Sequence, residues 1–118
     1  MRIFVVDDDP SLRLFVKRWL AQLEGYEVFV FDNGTAAVEA LARYSPSLVL
    51  SDLEMPGLCG EEVAEAAALL PRPPRIVLMS GDHDRLMRAR SLAQATLEKP
   101  FSFKALLSSI EPSSCLEA

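Results

Sequence analysis

A parallel five-stranded sheet with helices on both faces is the α/β fold this sequence predicts. Three observations carry it. Five short apolar runs alternate with helix-patterned segments, giving β-α repeated five times. The runs are apolar nearly throughout instead of alternating, as strands buried on both faces are. The helical segments between them serve as crossovers, which implies parallel neighbours. The chain has 118 residues, which suits one domain.

Arg2 to Val6 is a short apolar β-type run and forms the first strand. It runs into Asp7-Asp8-Asp9-Pro10-Ser11. Asp9 suits a helix N-cap with Pro10 at the first helical position. Capping does not account for Asp7 and Asp8, which belong to the strand end. Two carboxylates about 4 Å apart repel by roughly 4 kcal/mol at an effective dielectric of about 20, and a hard cation would relieve that. Leu12, Phe15, Val16, Trp19, Leu20 and Leu23 then follow helical spacing, with Gly25 at the helix end.

Val28 to Phe31 is the second strand. Asp32-Asn33-Gly34 is a turn, and Thr35 to Tyr44 a helix with Ala36, Val38, Leu41 and Ala42 facing inward. Ser45-Pro46-Ser47 stops that helix. Leu48 to Asp52 is the third strand, ended by Met55-Pro56-Gly57. Asp52 thus falls at a strand's carboxyl end, where ligands collect in open α/β sheets. Glu61 to Leu70 is a third helix, with Glu61, Glu62 and Glu65 on a solvated face. Pro71 to Pro74 is a rigid connector. Arg75 to Ser80 is the fourth strand, His83 to Ala93 the fourth helix, and Ala95 to Glu98 the fifth strand. Ser102 caps a last helix through Ile110. The domain therefore spans 1–110, with 111–118 as a C-terminal tail.

Composition narrows the function classes. Half of the residues are hydrophobic and a quarter charged, which supports a core and excludes a disordered chain. Seventeen acidic residues against twelve basic give −5, which argues against nonspecific nucleic-acid binding. The apolar runs are too short to span a membrane, and Asp7 to Asp9 follow Met1 too soon for a secretory signal. Cys59 and Cys115 show no metal-ligand spacing and read as inert thiols of a reduced cytoplasmic protein.

Four of the five strand ends carry polar groups: Asp7 with Asp8, Asp52, Ser80 and Lys99. The carboxyl ends of a parallel sheet share one edge, so these groups converge. The aspartates are oxygen ligands suited to Mg²⁺, which takes few carboxylates, keeps waters and binds phosphoryl oxygens. Asp52 then serves as a carboxylate nucleophile. Lys99 and the Ser80 hydroxyl stabilise charge on transferring phosphoryl oxygens. Gly81 keeps the approach open.

Together, Val5-Val6-Asp7-Asp8-Asp9-Pro10, Asp52-Leu53-Glu54-Met55-Pro56-Gly57 with Gly60, Ser80-Gly81 and Lys99-Pro100-Phe101 resemble the receiver domain of bacterial two-component response regulators. The resemblance covers nearly the whole chain. It implies a flavodoxin-like (βα)5 three-layer sandwich with strand order 2-1-3-4-5. It also implies that Asp52 is the phosphoacceptor, supplied by a histidine kinase or a histidine phosphotransfer protein. Asp8 would ligate Mg²⁺ directly, Asp7 through water, and the Glu54 carbonyl and Asp52 would complete the protein ligands. Leu53, Ser80, Gly81 and Lys99 would bind the phosphoryl group, and the Lys99–Pro100 bond would be cis. Such a domain supports its own phosphoryl transfer and autodephosphorylation but acts as a signalling module, not a turnover enzyme. Its partner surface would be helix four, strand five and helix five, a surface that also serves homodimers. No membrane or direct nucleic-acid contact is expected.

The resemblance breaks at Thr96, where receivers place Tyr or Phe three residues before the Lys. That ring turns inward when Ser80's counterpart moves toward the phosphate, and Thr96 has no ring to turn. Cys59 also departs from the usual Asp or Asn. Glu54 and Asp82 occupy positions that influence phosphate lifetime in the family. His83 reads as a surface histidine at a helix start. Arg85, Arg88 and Arg90 read as a solvated basic face, with docking of an acidic partner as the alternative.

Two other functions compete. A phosphorylation-independent docking module has Thr96 in its favour and the intact Asp7, Asp8, Asp52, Ser80 and Lys99 set against it. An aspartyl-intermediate phosphatase needs a substrate cap and an acid-base carboxylate placed for the leaving group, and the sequence has no room for a cap and no Asp-x-Asp motif at the nucleophile. Met1 directly before the first strand fits both a single-domain regulator and a receiver cut from a larger protein.

Overall fold

The computed structural model describes residues 1–111. The elements are β1 (Arg2–Val6), α1 (Pro10–Ala21), β2 (Glu27–Phe31), α2 (Gly34–Tyr44), β3 (Leu48–Asp52), α3 (Gly60–Ala68), β4 (Arg75–Ser80), α4 (His83–Ala89), a 3-10 turn (Arg90–Leu92), β5 (Ala95–Glu98) and α5 (Phe103–Ile110). The five strands are parallel, in the order β2-β1-β3-β4-β5. The expected three-layer fold and strand order are thus present. The tail expected at 111–118 lies, from residue 112 on, outside the described residues, as does Cys115.

Strand side chains alternate between faces, so one apolar run feeds two cores. Ile3, Val5, Leu48, Leu50, Val77 and Met79 pack with Val16 and Leu20 of α1 and Leu106 of α5. Phe4, Val6, Val49 and Leu78 pack with Leu41 of α2, Val63 of α3 and Leu86 of α4 on the other face. All five residues of β3 are buried, which explains why that run shows no polar alternation before Ser51.

Helix ends and faces differ from the expected ones in several places. α1 stops at Ala21, two residues before Leu23, because the Gln22 N–H turns back to the Leu20 and Trp19 carbonyls. Leu23 still packs against the core, whereas Phe15 is 57% exposed. In α2 the inward face is Gly34, Ala37 and Leu41; Ala36 is only half-buried and Ala42 is exposed. The helix starts at Gly34 under an Asn33 cap, and the i, i+3, i+7 positions from there point inward. α4 ends at Ala89 and tightens into a 3-10 turn, since the chain must re-enter the sheet, where the Gln94 N–H donates to the Ile76 carbonyl. The Asp9, Asn33, Asp82 and Ser102 side chains each accept a backbone N–H at a helix start, the expected chemistry at such positions. No helix among the described residues is long and apolar enough to cross a membrane.

Candidate functional site at the carboxyl edge of the sheet

β3 lies between β1 and β4, so the end of β3 is flanked by the ends of both. Asp52 is its last residue and is 6% exposed. Its Oδ1 accepts the Leu53 N–H at 3.0 Å. One carboxylate oxygen from each of Asp7, Asp8 and Asp52 lies within 4.8 Å of the others. α3 begins directly against this edge because position 60 is glycine; a Cβ there would run into the Asp52 carbonyl oxygen.

The repulsion expected between Asp7 and Asp8 is met first by protein groups. The two differ in burial: Asp7 is fully buried, and Asp8 is exposed. Lys99 Nζ sits 2.7 Å from Asp7 Oδ2 and 3.4 Å from Asp52 Oδ1. The Asp9 N–H donates to Asp7 Oδ1 at 2.8 Å, and Arg13 Nη1 donates to the Asp7 carbonyl at 2.8 Å. Lys99 reaches in after β5, beside the cis Lys99–Pro100 bond that the resemblance implied.

These neighbours set the charge state of the Asp52 carboxyl. Burial, with the Asp7 charge second, pushes the Asp52 carboxyl up to about 6; Lys99 and the Leu53 N–H pull the other way. Burial lowers Lys99, but its contacts with Asp7 and Asp52 outweigh that and raise it. Lys99 is therefore a fixed cation at any ordinary pH.

Ser80 ends β4 and is fully buried. Its Oγ accepts the Asp82 N–H at 2.9 Å and donates to Glu54 Oε1 at 3.5 Å. Gly81 is exposed, and a Cβ there would meet nothing within 4 Å, so this side of the site is open. Thr96 is half-buried on β5 and pairs with Leu78 of β4.

Two residues that sequence reasoning placed in solvent belong beside the site. Arg85 is not on a free basic face. Its Nε and Nη2 fork onto the Glu61 carboxylate at 3.1 and 3.0 Å, and Nη2 also reaches the Leu53 carbonyl at 3.2 Å. Nη1 lies 3.9 Å from Glu54 Oε2. Glu61 is accordingly not on a solvated face, and the Arg85 hydrogen bonds hold its carboxyl below the usual range. Arg13 was missed as well. Arg85 and Glu61 are 24 residues apart, and no local spacing signals their pairing. Glu62 does stay exposed, and its carboxylate accepts the Cys59 N–H at the start of α3. Burial raises the Cys59 thiol, consistent with an unreactive cysteine. His83 is exposed and pairs with Glu98 at 2.8 Å, as a surface histidine would.

The model for the response regulator receiver domain matches residues 3–111. The response regulator receiver protein CpdR of Brucella abortus is 34% identical over 113 residues, spanning 93% of each chain. The DNA-binding transcriptional regulator NtrC of Escherichia coli is 31% identical over 116 residues, but those cover only 24% of its length. The response regulator TrrA of Thermotoga maritima, solved with Mg²⁺ and BeF, superposes with a TM-score of 0.80 at 33% identity, covering 90% of this chain and 92% of that one. Motifs, fold, edge geometry and these likenesses agree: the chain belongs to the response regulator receiver domains of two-component signalling.

Proposed function

We propose that Asp52 accepts a phosphoryl group from a histidine kinase or a histidine phosphotransfer protein, and that the acquired charge resets a partner-binding surface. The observation that carries this reading is the buried Asp52 carboxylate with Lys99 Nζ at 3.4 Å and the Ser80 hydroxyl on the adjoining strand end. At pH 7 a group titrating near 6 is still about nine-tenths ionised, so the nucleophile is available. A carboxylate oxygen attacks phosphorus, the bond from phosphorus to the donor breaks, and the donor leaves with its electron pair. Lys99 holds positive charge beside the transferring oxygens, and Ser80 supplies a hydrogen-bond donor. Later attack by water on phosphorus breaks its bond to the Asp52 oxygen, releases inorganic phosphate and returns the carboxylate, which is autodephosphorylation.

The donor set fits a hard divalent cation: three carboxylates within 4.8 Å and no sulfur or imidazole among them. Asp7, Asp8, Asp52 and the Glu54 carbonyl would hold Mg²⁺. The bound cation would neutralise charge on phosphoryl oxygens. Leu53 and Gly81, beside Asp52 and Ser80, are the backbone positions nearest the incoming group. The domain spans 1–110.

An acyl phosphate carries roughly −1.5 to −2 charge where the Asp52 carboxylate carried −1, and places it farther out from the strand end. Inverting a 1:99 balance of surface conformations takes about 5.5 kcal/mol of differential stabilisation. The surface so controlled is α4, β5 and α5, offered to a downstream protein or a second copy of the domain. Thr96 is the one feature that favours a phosphorylation-independent docking module. Incubation with acetyl phosphate, with and without Mg²⁺, tests the proposal by intact mass. A Mg²⁺-dependent gain of one phosphoryl group, absent in Asp52→Asn, is the expected result. No gain with acetyl phosphate or a phosphorylated kinase would leave the docking module in its place.

A further inference from the structure

Ser80, Asp82, Arg85 and Glu54 form a closed ring on one flank of Asp52. The Ser80 Oγ accepts the Asp82 N–H. The Asp82 carboxylate accepts the Arg85 N–H at 3.1 Å. The Arg85 guanidinium lies against the Glu54 carboxylate, and the other oxygen of that carboxylate accepts the Ser80 hydroxyl. Both routes out of Ser80, one along the backbone and one through side chains, meet at Arg85. Beyond Arg85 stand Glu61 at the start of α3 and the Leu53 carbonyl next to Asp52.

The ring is loosest at Glu54, where the Ser80 bond is 3.5 Å and the Arg85 ion pair 3.9 Å. A serine hydroxyl has a single hydrogen. If Ser80 donates it to a phosphoryl oxygen on Asp52, it cannot donate it to Glu54. The joint it gives up is long, 3.5 Å, and the Glu54 side chain is 58% exposed, so opening it costs little. The released carboxylate then faces a like charge on the phosphoryl group, with the Arg85 cation as its remaining partner. The Arg85–Glu61 fork, by contrast, is bidentate and only 28% exposed on each side. A change at Ser80 thus has a mechanical path into α4 that makes no use of position 96.

We propose that Arg85 is a positioning residue whose guanidinium relays the phosphorylation state of Asp52 to α4 through the Glu54 carboxylate. The inference rests on Asp52 accepting a phosphoryl group. Its test reads phosphoryl gain by intact mass and amide exchange of residues 83–89 on the same samples, at full conversion with acetyl phosphate and Mg²⁺.

In the wild type, phosphorylation should speed exchange across 83–89 by about tenfold. In Arg85→Gln those amides should exchange fast before phosphorylation and change less than about twofold after it. Arg85→Lys, which keeps the charge and loses the fork, should fall between. Arg85→Gln with a wild-type response would overturn the relay. So would a phosphorylated wild type whose α4 does not change. A wild type that gains no phosphoryl group removes the Asp52 reading itself, and the mass shows which has failed. Where Arg85→Gln does not fold, Glu61→Gln removes the anchor of the fork and is read in the same way.

Discussion

The two flanks of Asp52 are built to different tightness. On the β1–β5 flank, Lys99 meets Asp7 at 2.7 Å, and the Asp7 side chain is 1% exposed. Asp7 takes a second hydrogen bond from the Asp9 N–H, and Arg13 ties down its carbonyl. On the β4–α4 flank, Ser80 meets Glu54 at 3.5 Å and Arg85 meets it at 3.9 Å, with Glu54 58% exposed. Short, buried, charge-assisted contacts hold one geometry, and long, wet ones are exchanged at little cost. On the proposed phosphoacceptor role of Asp52, the first flank is suited to holding a cation and the carboxylate in place, the second to responding once Asp52 is modified.

Removing the fixed flank should have the largest effect. Lys99→Ala leaves the Asp7 and Asp52 carboxylates without their cation. Metal-free stability at neutral pH should fall by about 2 kcal/mol, read by urea unfolding. Phosphoryl gain from acetyl phosphate should slow by about a hundredfold, read by mass against time. A loss of stability without loss of rate would assign Lys99 to the fold alone.

The pH dependence of stability sharpens the contrast. Asp52 binds its proton more tightly folded, near 6, than unfolded, near 3.8. Its contribution to stability is therefore fully present below about pH 4 and lost as pH rises through about 6. In metal-free buffer, Asp52→Asn and wild type should be equally stable at pH 4. The variant should gain on the order of 1–2 kcal/mol by pH 8. A constant difference across that range would mean that Asp52 is not held in the buried, Asp7-facing setting described above.

The smallest effect belongs to the loose flank. Glu54→Gln removes one long hydrogen bond and one distant ion pair. Urea midpoints should move by no more than about 0.5 kcal/mol equivalent. A loss near that of Lys99→Ala would erase the distinction between the flanks.

The same division governs what the sequence discloses. The fixed groups end strands, and strand ends are marked by apolar runs meeting turn residues. Asp7, Asp52 and Lys99 were legible for that reason, as were Ser80 at the end of the loose flank's strand, the full span of β3 and the sheet order implied by the resemblance. The Arg85 contacts were not. They join a helix to the start of another across 24 residues, and an arginine with neighbouring arginines reads as a solvated face. The burial difference between Asp7 and Asp8 was also hidden, since adjacent identical residues carry no sign of which one turns inward. Helix faces rich in alanine gave the poorest guidance: Ala36, Ala37 and Ala42 are indistinguishable by hydropathy, and only the Gly34 start of α2 decides that Ala37 is the buried one.

The most direct test of the unequal flanks is a crystal structure of the protein with Mg²⁺ and BeF, where the fluoroberyllate on Asp52 stands in for the phosphoryl group. Lys99 should remain within hydrogen-bond distance of Asp7, and the Ser80 hydroxyl should have turned from Glu54 to the fluoroberyllate. A structure in which Ser80 keeps Glu54 while Lys99 has abandoned Asp7 would contradict the account.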